Sequence, residues 1–286
     1  MHALLHVIFV SGFLANGPVR TALMVGCGTA AVSAVVGVFA VMRGQSFAAH
    51  ALGDVSSAGG SASYLLGVRP MLGFIGMGVL AAVGMEWADM QDARERDLVT
   101  GVILGAGLAL TALFLYFDTT SGSASGAAIS ILFGSMFTLP AAVVLPALAA
   151  GAAAVALVGA LYRPLLLTSL AAELAAAQGA RVRLVGLAHA LALALAVSLS
   201  AMTVGAILSP ALIIGPAATA LRLVNRPGLA IALAALLGIA AVWGGILLAY
   251  DSYYWTPGHG WPVSFFIVSL IFLGYVAANV ARRSPG

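Results

Sequence analysis

The stretch LVGLAHALALALAVSLSAMTVGAILSPALIIGPAATALRL, running from Leu184 to Leu223, decides how this chain folds. It carries no charge before Arg222 and is about twice as long as the ~20 residues a helix needs to cross a ~30 Å hydrocarbon layer. Gly205, Pro210, Gly215 and Pro216 interrupt it. Glycine lacks a Cβ and proline lacks an N–H, so both punctuate helices. The reading is a helix, a break and a return helix, with Pro210, Gly215 and Pro216 marking the break.

The rest of the chain has the same character. Of its 286 residues 62% are hydrophobic and 7% are charged, against about 25% charged in a soluble domain. So few charges cannot keep a surface of this size dispersed in water. Apolar runs at 18–42, 70–87, 98–117, 139–162, 229–250 and 262–281 read as spanning helices. The segment 47–68, rich in Ser, Gly and Ala, suits a helix buried among other helices better than one facing lipid. The expectation is an all-α polytopic transmembrane helical bundle of eight or nine spans, forming a single transmembrane domain over 1–286. Residues 1–16 lack a basic n-region and read as an interfacial segment, not a cleaved signal peptide.

Charge orients the spans. All 12 basic residues are arginines, and the net charge is +3. If crossings alternate from an external N-terminus, Arg43, Arg94, Arg96, Arg163, Arg181, Arg183, Arg222, Arg226, Arg282 and Arg283 fall on the cytoplasmic side. Only Arg20 and Arg69 remain outside, as the positive-inside rule requires. The same orientation places DSYYWTPGHGW (251–261) outside, where Tyr and Trp suit the interface. The arginines are scattered, which argues against nucleic acid as a partner. Cys27 is the only cysteine, so one chain holds no internal disulfide and no thiolate metal cluster. With no lysine there is no P-loop lysine. Neither a His-Glu-x-x-His zinc motif nor a Gly-x-Ser-x-Gly elbow is present, so the chain does not read as an enzyme.

Within AAHALGDVSSAGGSASYLLG (48–67) stand His50 and Asp54. Four residues apart on a helix, they lie on one face about 5–6 Å apart at Cβ. An imidazole and a carboxylate so placed can replace part of the hydration shell of a divalent cation. They can equally bond to each other and hold two helices together. The residues alone leave both readings open.

Several motifs, in order along nearly the whole chain, resemble the integral membrane permeases of ATP-binding-cassette importers for zinc, manganese and iron. VGVFAVMRGQSFAAHALGDVSSAGGSASYLLG is similar to that family's first-helix exit, Arg-x-x-Ser turn and small-residue helix. RERDLVTGVIL resembles its cytoplasmic re-entry, and ILFGSMF its Leu-Phe-Gly-Ser segment. YRPLLLTSLAAELAAAQGARVRL and VGAILSPALIIGPAATALRL resemble its Tyr-Arg-Pro-Leu-Leu entry, Glu-x-Ala-x-x-x-Gly helix and Leu-Ile-Ile-Pro-Ala-Ala-Thr-Ala signature. Three departures stand out. His50 stands where the family's Asp is found, and Asp54 where its His is found. Ala58 replaces a proline, and Pro210 and Gly215 are additions in the signature.

The resemblance implies a permease of the bacterial cytoplasmic (inner) membrane. It implies a homodimer of permease chains, two cytoplasmic ATP-binding-cassette subunits and an extracytoplasmic metal-binding protein as partners. No cofactor is held permanently; zinc or manganese is carried, and ATP acts only through the partner subunit. On this reading His50 and Asp54 hold the metal transiently. Region 164–180 becomes a short cytoplasmic coupling helix, with Glu173, Gln178 and Gly179 meeting the ATPase. Imidazole leans the choice slightly to zinc, while carboxylate admits manganese.

Lesser candidates surround these. Gln45 and Ser46 offer oxygen ligands, or Ser46 caps the helix. His189 is a later pathway ligand or bonds a neighbouring carbonyl. His259, His2 and His6 are weak metal-facing candidates, and Asp89, Asp92, Glu95 and Asp97 belong to a solvated cytoplasmic turn. Rival functions are a siderophore or cobalamin permease, a gradient-driven secondary metal transporter, which predicts inverted repeats, and a non-transporting scaffold.

Overall fold

Glycines and prolines set where the helices begin and end. The computed structural model describes residues 13–87, 93–120, 126–134, 136–255 and 260–283, and among these it forms twelve α-helices and no strand. They are α1 (Gly17–Met42), α2 (Ser46–Leu65), α3 (Pro70–Trp87), α4 (Ala93–Thr120), α5 (Ala127–Phe133) and α6 (Val144–Ala160). The short α7 (Tyr162–Leu170) and α8 (Ala172–Ala177) follow, then α9 (Val182–Val204), α10 (Ser209–Leu223), α11 (Pro227–Trp255) and α12 (Val263–Arg283). Pro18 and Pro70 lie in the first turns of α1 and α3, where a missing N–H leaves no helix bond unmade.

Seven of these helices are long and apolar enough to cross a bilayer: α1, α3, α4, α6 with its preceding turn, α9, α11 and α12. The two remaining candidates for the expected eight or nine spans fall short for different reasons. Helix α2 has 20 residues, enough length at 1.5 Å per residue, but it is too polar. Helix α10 is apolar but has only 15 residues.

Among the candidate spans, α1 and α9 form the interior. Each is 67% buried over its most apolar window, against 17% for α3 and 22% for α4 and α6. Helix α9 touches α1, α2, α3, α6 and α10, so it joins a group built of α2, α3 and α4 to a second group built of α1, α10, α11 and α12. Phe39, Leu52, Leu165, Leu193 and Ile213 share one buried cluster. The large apolar side chains left outside, among them Leu72, Leu80, Leu98, Val102 and Phe272, lie on faces of α3, α4 and α12 turned away from this interior. Such faces suit a hydrocarbon solvent.

Several expectations change. The discontinuity between α9 and α10 falls at Gly205–Leu208, not at Gly215 or Pro216. Gly205 ends α9 at φ +103°, Pro210 occupies the first turn of α10, and Gly215 and Pro216 lie inside α10. Tertiary packing holds the break there. Gly134, at φ +84°, crosses Gly205 so closely that a Cβ on either would stand 2.3–2.4 Å from backbone oxygen of the other strand. The Ala206 N–H donates to the Ile131 carbonyl at 2.9 Å, and Ser264 Oγ to that of Phe133 at 2.9 Å. The Leu-Phe-Gly portion of ILFGSMF is thus the wedge in the broken helix; Ser135 is outside the described residues.

The region 164–180 is two helices, not one, because Ala171 takes an extended backbone (φ −155°, ψ 84°) between α7 and α8. Residues 251–255 continue α11 instead of opening the external loop. Of the expected interfacial segment, 1–12 are outside the description. Phe13 is buried edge-on against Trp243 and Tyr250, so that part is packed onto α11. His2, His6, Asp89, Asp92 and His259 also lie outside the described residues.

Candidate functional site

Helix α2 presents a conflict that only its surroundings resolve. Every residue from Ala51 to Ser61 is buried, yet these include Asp54, Ser56, Ser57 and Ser61. A helix buried all round is ordinarily apolar all round. Here small residues let neighbouring backbones come close enough to satisfy the polar groups. Gly59 and Gly73 cross at the α2–α3 contact, where a Cβ on either would sit 2.0–2.1 Å from the other's carbonyl oxygen. Ser56 and Ser198 share a hydrogen bond of 3.0 Å, and Ser198 also donates to the Phe74 carbonyl at 3.0 Å.

His50 begins the second turn of α2 and Asp54 lies one turn further on. His50 Nε2 stands 3.8 Å from Asp54 Oδ2, with the histidine side chain 41% exposed and the aspartate 4%. The pair therefore has one open side and one closed side. Asp54 Oδ2 accepts no hydrogen bond, an unusual state for a buried carboxylate oxygen. An ion bonded at about 2.0–2.2 Å to both atoms would hold them roughly 3–3.5 Å apart. A side-chain adjustment of a few tenths of an ångström closes the difference, so the pair fits a shared cation. Among the described residues no group of three or more His, Cys, Asp or Glu side chains could hold a metal. Of those residue types His50 and Asp54 thus stand as a pair.

The backbone at Asp54 is held from two sides. Its carbonyl accepts from Ser57 Oγ at 2.7 Å and Thr111 Oγ1 at 3.2 Å, and those two hydroxyls are 3.1 Å apart. One turn before Thr111, a Cβ on Gly107 would meet the Val55 nitrogen at 2.8 Å and the Asp54 carbonyl carbon at 3.1 Å. On another side, a Cβ on Gly53 would touch Ser209 Oγ at 3.1 Å, so the α9–α10 break stands beside the site. Sequence reasoning missed Gly107, Thr111 and Ser209. The four-residue spacing of Gly107 and Thr111 on one helix face was the only local signal.

The other candidates are dispersed. Ser46 is the first residue of α2 and does not cap it; Gln45 holds the cap position without a side-chain bond. The Gln45 side-chain oxygen is buried and unpaired. His189 is 2% exposed, has no hydrogen bond on either ring nitrogen, and faces the Phe39 ring at 6.4 Å. Arg43 lies within its electrostatic reach, and it forms no ligand cluster with His50 and Asp54. Glu173 is exposed in the first turn of α8. Gln178 caps that helix, and Gly179, at φ +81°, closes it.

The profile of the ABC 3 transport family matches residues 17–279. Over 272 residues, 95% of each chain, the sequence is 26% identical to the manganese transport system membrane protein MntC of Listeria innocua. It is 24% identical to the high-affinity zinc uptake system membrane protein ZnuB of Haemophilus influenzae, covering 81% of this chain and 88% of the other. A solved structure described as PsaBC from Streptococcus pneumoniae in complex with Fab superposes with a TM-score of 0.81 at 25% identity, over 97% of this chain and 95% of that one. With nearly its whole length matched by the family profile, this multi-pass membrane chain belongs to the ABC 3 transport family.

Proposed function

We propose that this chain is the membrane-spanning subunit of an ATP-driven importer for a divalent transition-metal ion, manganese or zinc, in a bacterial cytoplasmic membrane. The observation that carries the reading is the buried, polar helix α2, whose one half-open face sets His50 3.8 Å from Asp54. Relatives named for manganese and for zinc support both ions. One imidazole and one carboxylate, without thiolate, admit either.

The incomplete ligand set favours a homodimer in which two copies bring two imidazoles and two carboxylates to a central path. Two cytoplasmic ATPase subunits supply the energy, and an extracytoplasmic metal-binding protein delivers the ion. No cofactor stays bound. The arginine distribution favours the cytoplasmic side for the α7–α8 segment, where exposed Leu170, Glu173, Leu174 and Gln178 form the face for the ATPase. Glu173, Gln178 and Gly179 keep their coupling role in this reading. Movement of this segment rocks the bundle and opens the His50 and Asp54 site to each side in turn. Two protein ligands per chain, with water, Ser46 or Gln45 completing the sphere, bind weakly enough to release the ion. His189 is left out of the ligand set, because the neighbouring Arg43 guanidinium opposes a cation there.

Reconstitution of the chain with its ATPase subunit in proteoliposomes tests the reading. ATP-dependent uptake of manganese or zinc, absent when the chain is reconstituted alone, is the expected result. Uptake by the chain alone under an ion gradient would instead establish a secondary transporter.

A further inference from the structure

The end of α1 is closed by a glycine turn of the Schellman type. Gly44 takes φ +66°, its N–H donates to the Val41 carbonyl at 3.1 Å, and the Gln45 N–H donates to that of Ala40 at 2.8 Å. The turn delivers the chain directly into α2. Arg43 thus stands at one end of a fixed reversal and His50 in the second turn beyond the other.

The Arg43 guanidinium reaches away from that turn. Its Nη1 donates to Thr168 Oγ1 at 2.9 Å in a partly buried bond between segments far apart in sequence. Thr168 is buried in α7 and donates to the Leu165 carbonyl at 3.1 Å. Leu165 belongs to the cluster around Phe39, and the Phe39 ring meets Tyr162 edge-on at 5.7 Å. This half of α7 is therefore seated against the end of α1. The opposite half exposes Leu170, and beyond Ala171 the chain exposes Leu174. Glu86, at the end of α3, and Arg96, near the start of α4, also act electrostatically on Arg43, and its Nε has no hydrogen bond. One planar side chain with five donors can serve Thr168 while facing a carboxylate, which an ammonium cannot do as well.

We propose that Arg43 is a positioning residue for transport: its bond to Thr168 carries movement of the α7–α8 segment to the α1–α2 turn, and so to the helix bearing His50 and Asp54. An apolar contact at this point can slide when α7 moves, whereas a short directional bond between partly buried groups moves with it or breaks. The inference rests on the permease reading above.

The test uses the complete complex with its ATPase subunit in proteoliposomes, supplied with manganese and, separately, zinc. Thr168→Val keeps the shape of the side chain and removes the acceptor, Thr168→Ser restores it, and Arg43→Gln removes the charge. Metal uptake and ATP hydrolysis are read together with melting temperature and the assembled fraction. Thr168→Val and Arg43→Gln are expected to stay assembled and to hydrolyse ATP at the basal rate. They should carry about tenfold fewer ions per ATP, the scale of one charge-assisted bond, while Thr168→Ser stays close to the parent. An unchanged ratio in both variants overturns the proposal. So does a loss that follows only the melting temperature or the assembled fraction, which assigns the bond to folding. Absence of ATP-driven uptake in the parent complex overturns the permease reading instead.

Discussion

Helices α2 and α3 are neighbours of similar length, with 20 and 18 residues, joined by one turn and packed through Gly59 and Gly73. Their chemistry is opposite. Helix α2 carries a histidine, an aspartate and a run of serines, and is buried on every side from Ala51 to Ser61. Helix α3 is apolar through most of its length and exposes Leu72, Leu80 and Val83. In water the two would exchange places. In a hydrocarbon solvent an apolar side chain gains little by leaving the surface, and a polar one must find its partners inside the protein. Polarity in this chain therefore marks the interior, and an interior ionisable pair is where function is to be sought.

Changes on the two helices separate them in graded fashion. The largest effect is expected from His50→Ala combined with Asp54→Ala: ATP-driven metal uptake falls to background in a complex that still assembles. Normal uptake would make the polarity of α2 a matter of helix packing alone. Next is Gly73→Val, whose Cβ would stand 2.0 Å from the Gly59 carbonyl oxygen. Forcing the two helices apart should cost about 1–3 kcal/mol, read as a lower melting temperature in detergent. Gly76→Ala, on the same helix with nothing within 4 Å, should not lower that temperature, since alanine suits a helix interior better than glycine. If the two glycines respond alike, the crossing does not govern packing.

Smaller effects sharpen the contrast. Thr111→Val removes the hydroxyl that serves the Asp54 carbonyl and Ser57, and should cost about 0.6 kcal/mol, the average for a hydrogen bond between membrane helices. The melting temperature checks the cost, and uptake should fall only slightly. Leu80→Ala, at a side chain 66% exposed on α3, should stay within about 0.5 kcal/mol of the parent. A larger loss would show that Leu80 faces protein in the assembled transporter.

What the sequence made legible follows from how local each signal is. The apolar runs 18–42 and 70–87 and the small-residue run 47–68 set the limits of α1, α3 and α2 within a few residues. The four-residue spacing of His50 and Asp54 sets both on one helix face, and Nε2 and Oδ2 stand 3.8 Å apart there. The break in the 184–223 run is legible, but of its four markers only Gly205 and Pro210 flank it. It depends on Gly134, which lies far away in sequence, and Pro216 is accommodated inside a helix. Ala171 could not be foreseen as a break within an alanine-rich run, because propensity there favours helix and only packing of α7 against α1 overrides it. The packing of Gly107 and Thr111 on Asp54 and the Arg43 to Thr168 bond join segments distant in sequence, and spacing within one helix does not reveal the partner.

The central claim is that the buried polar helix α2 holds the transported ion. X-ray absorption at the manganese and zinc edges, on the permease assembled with its ATPase subunit and loaded with each metal, tests it most directly. The account predicts an imidazole scattering signature together with oxygen ligands, at a stoichiometry that falls on Asp54→Ala, with the imidazole signature lost in His50→Ala. An unchanged spectrum and stoichiometry in both variants would contradict it and place the ion elsewhere in the bundle.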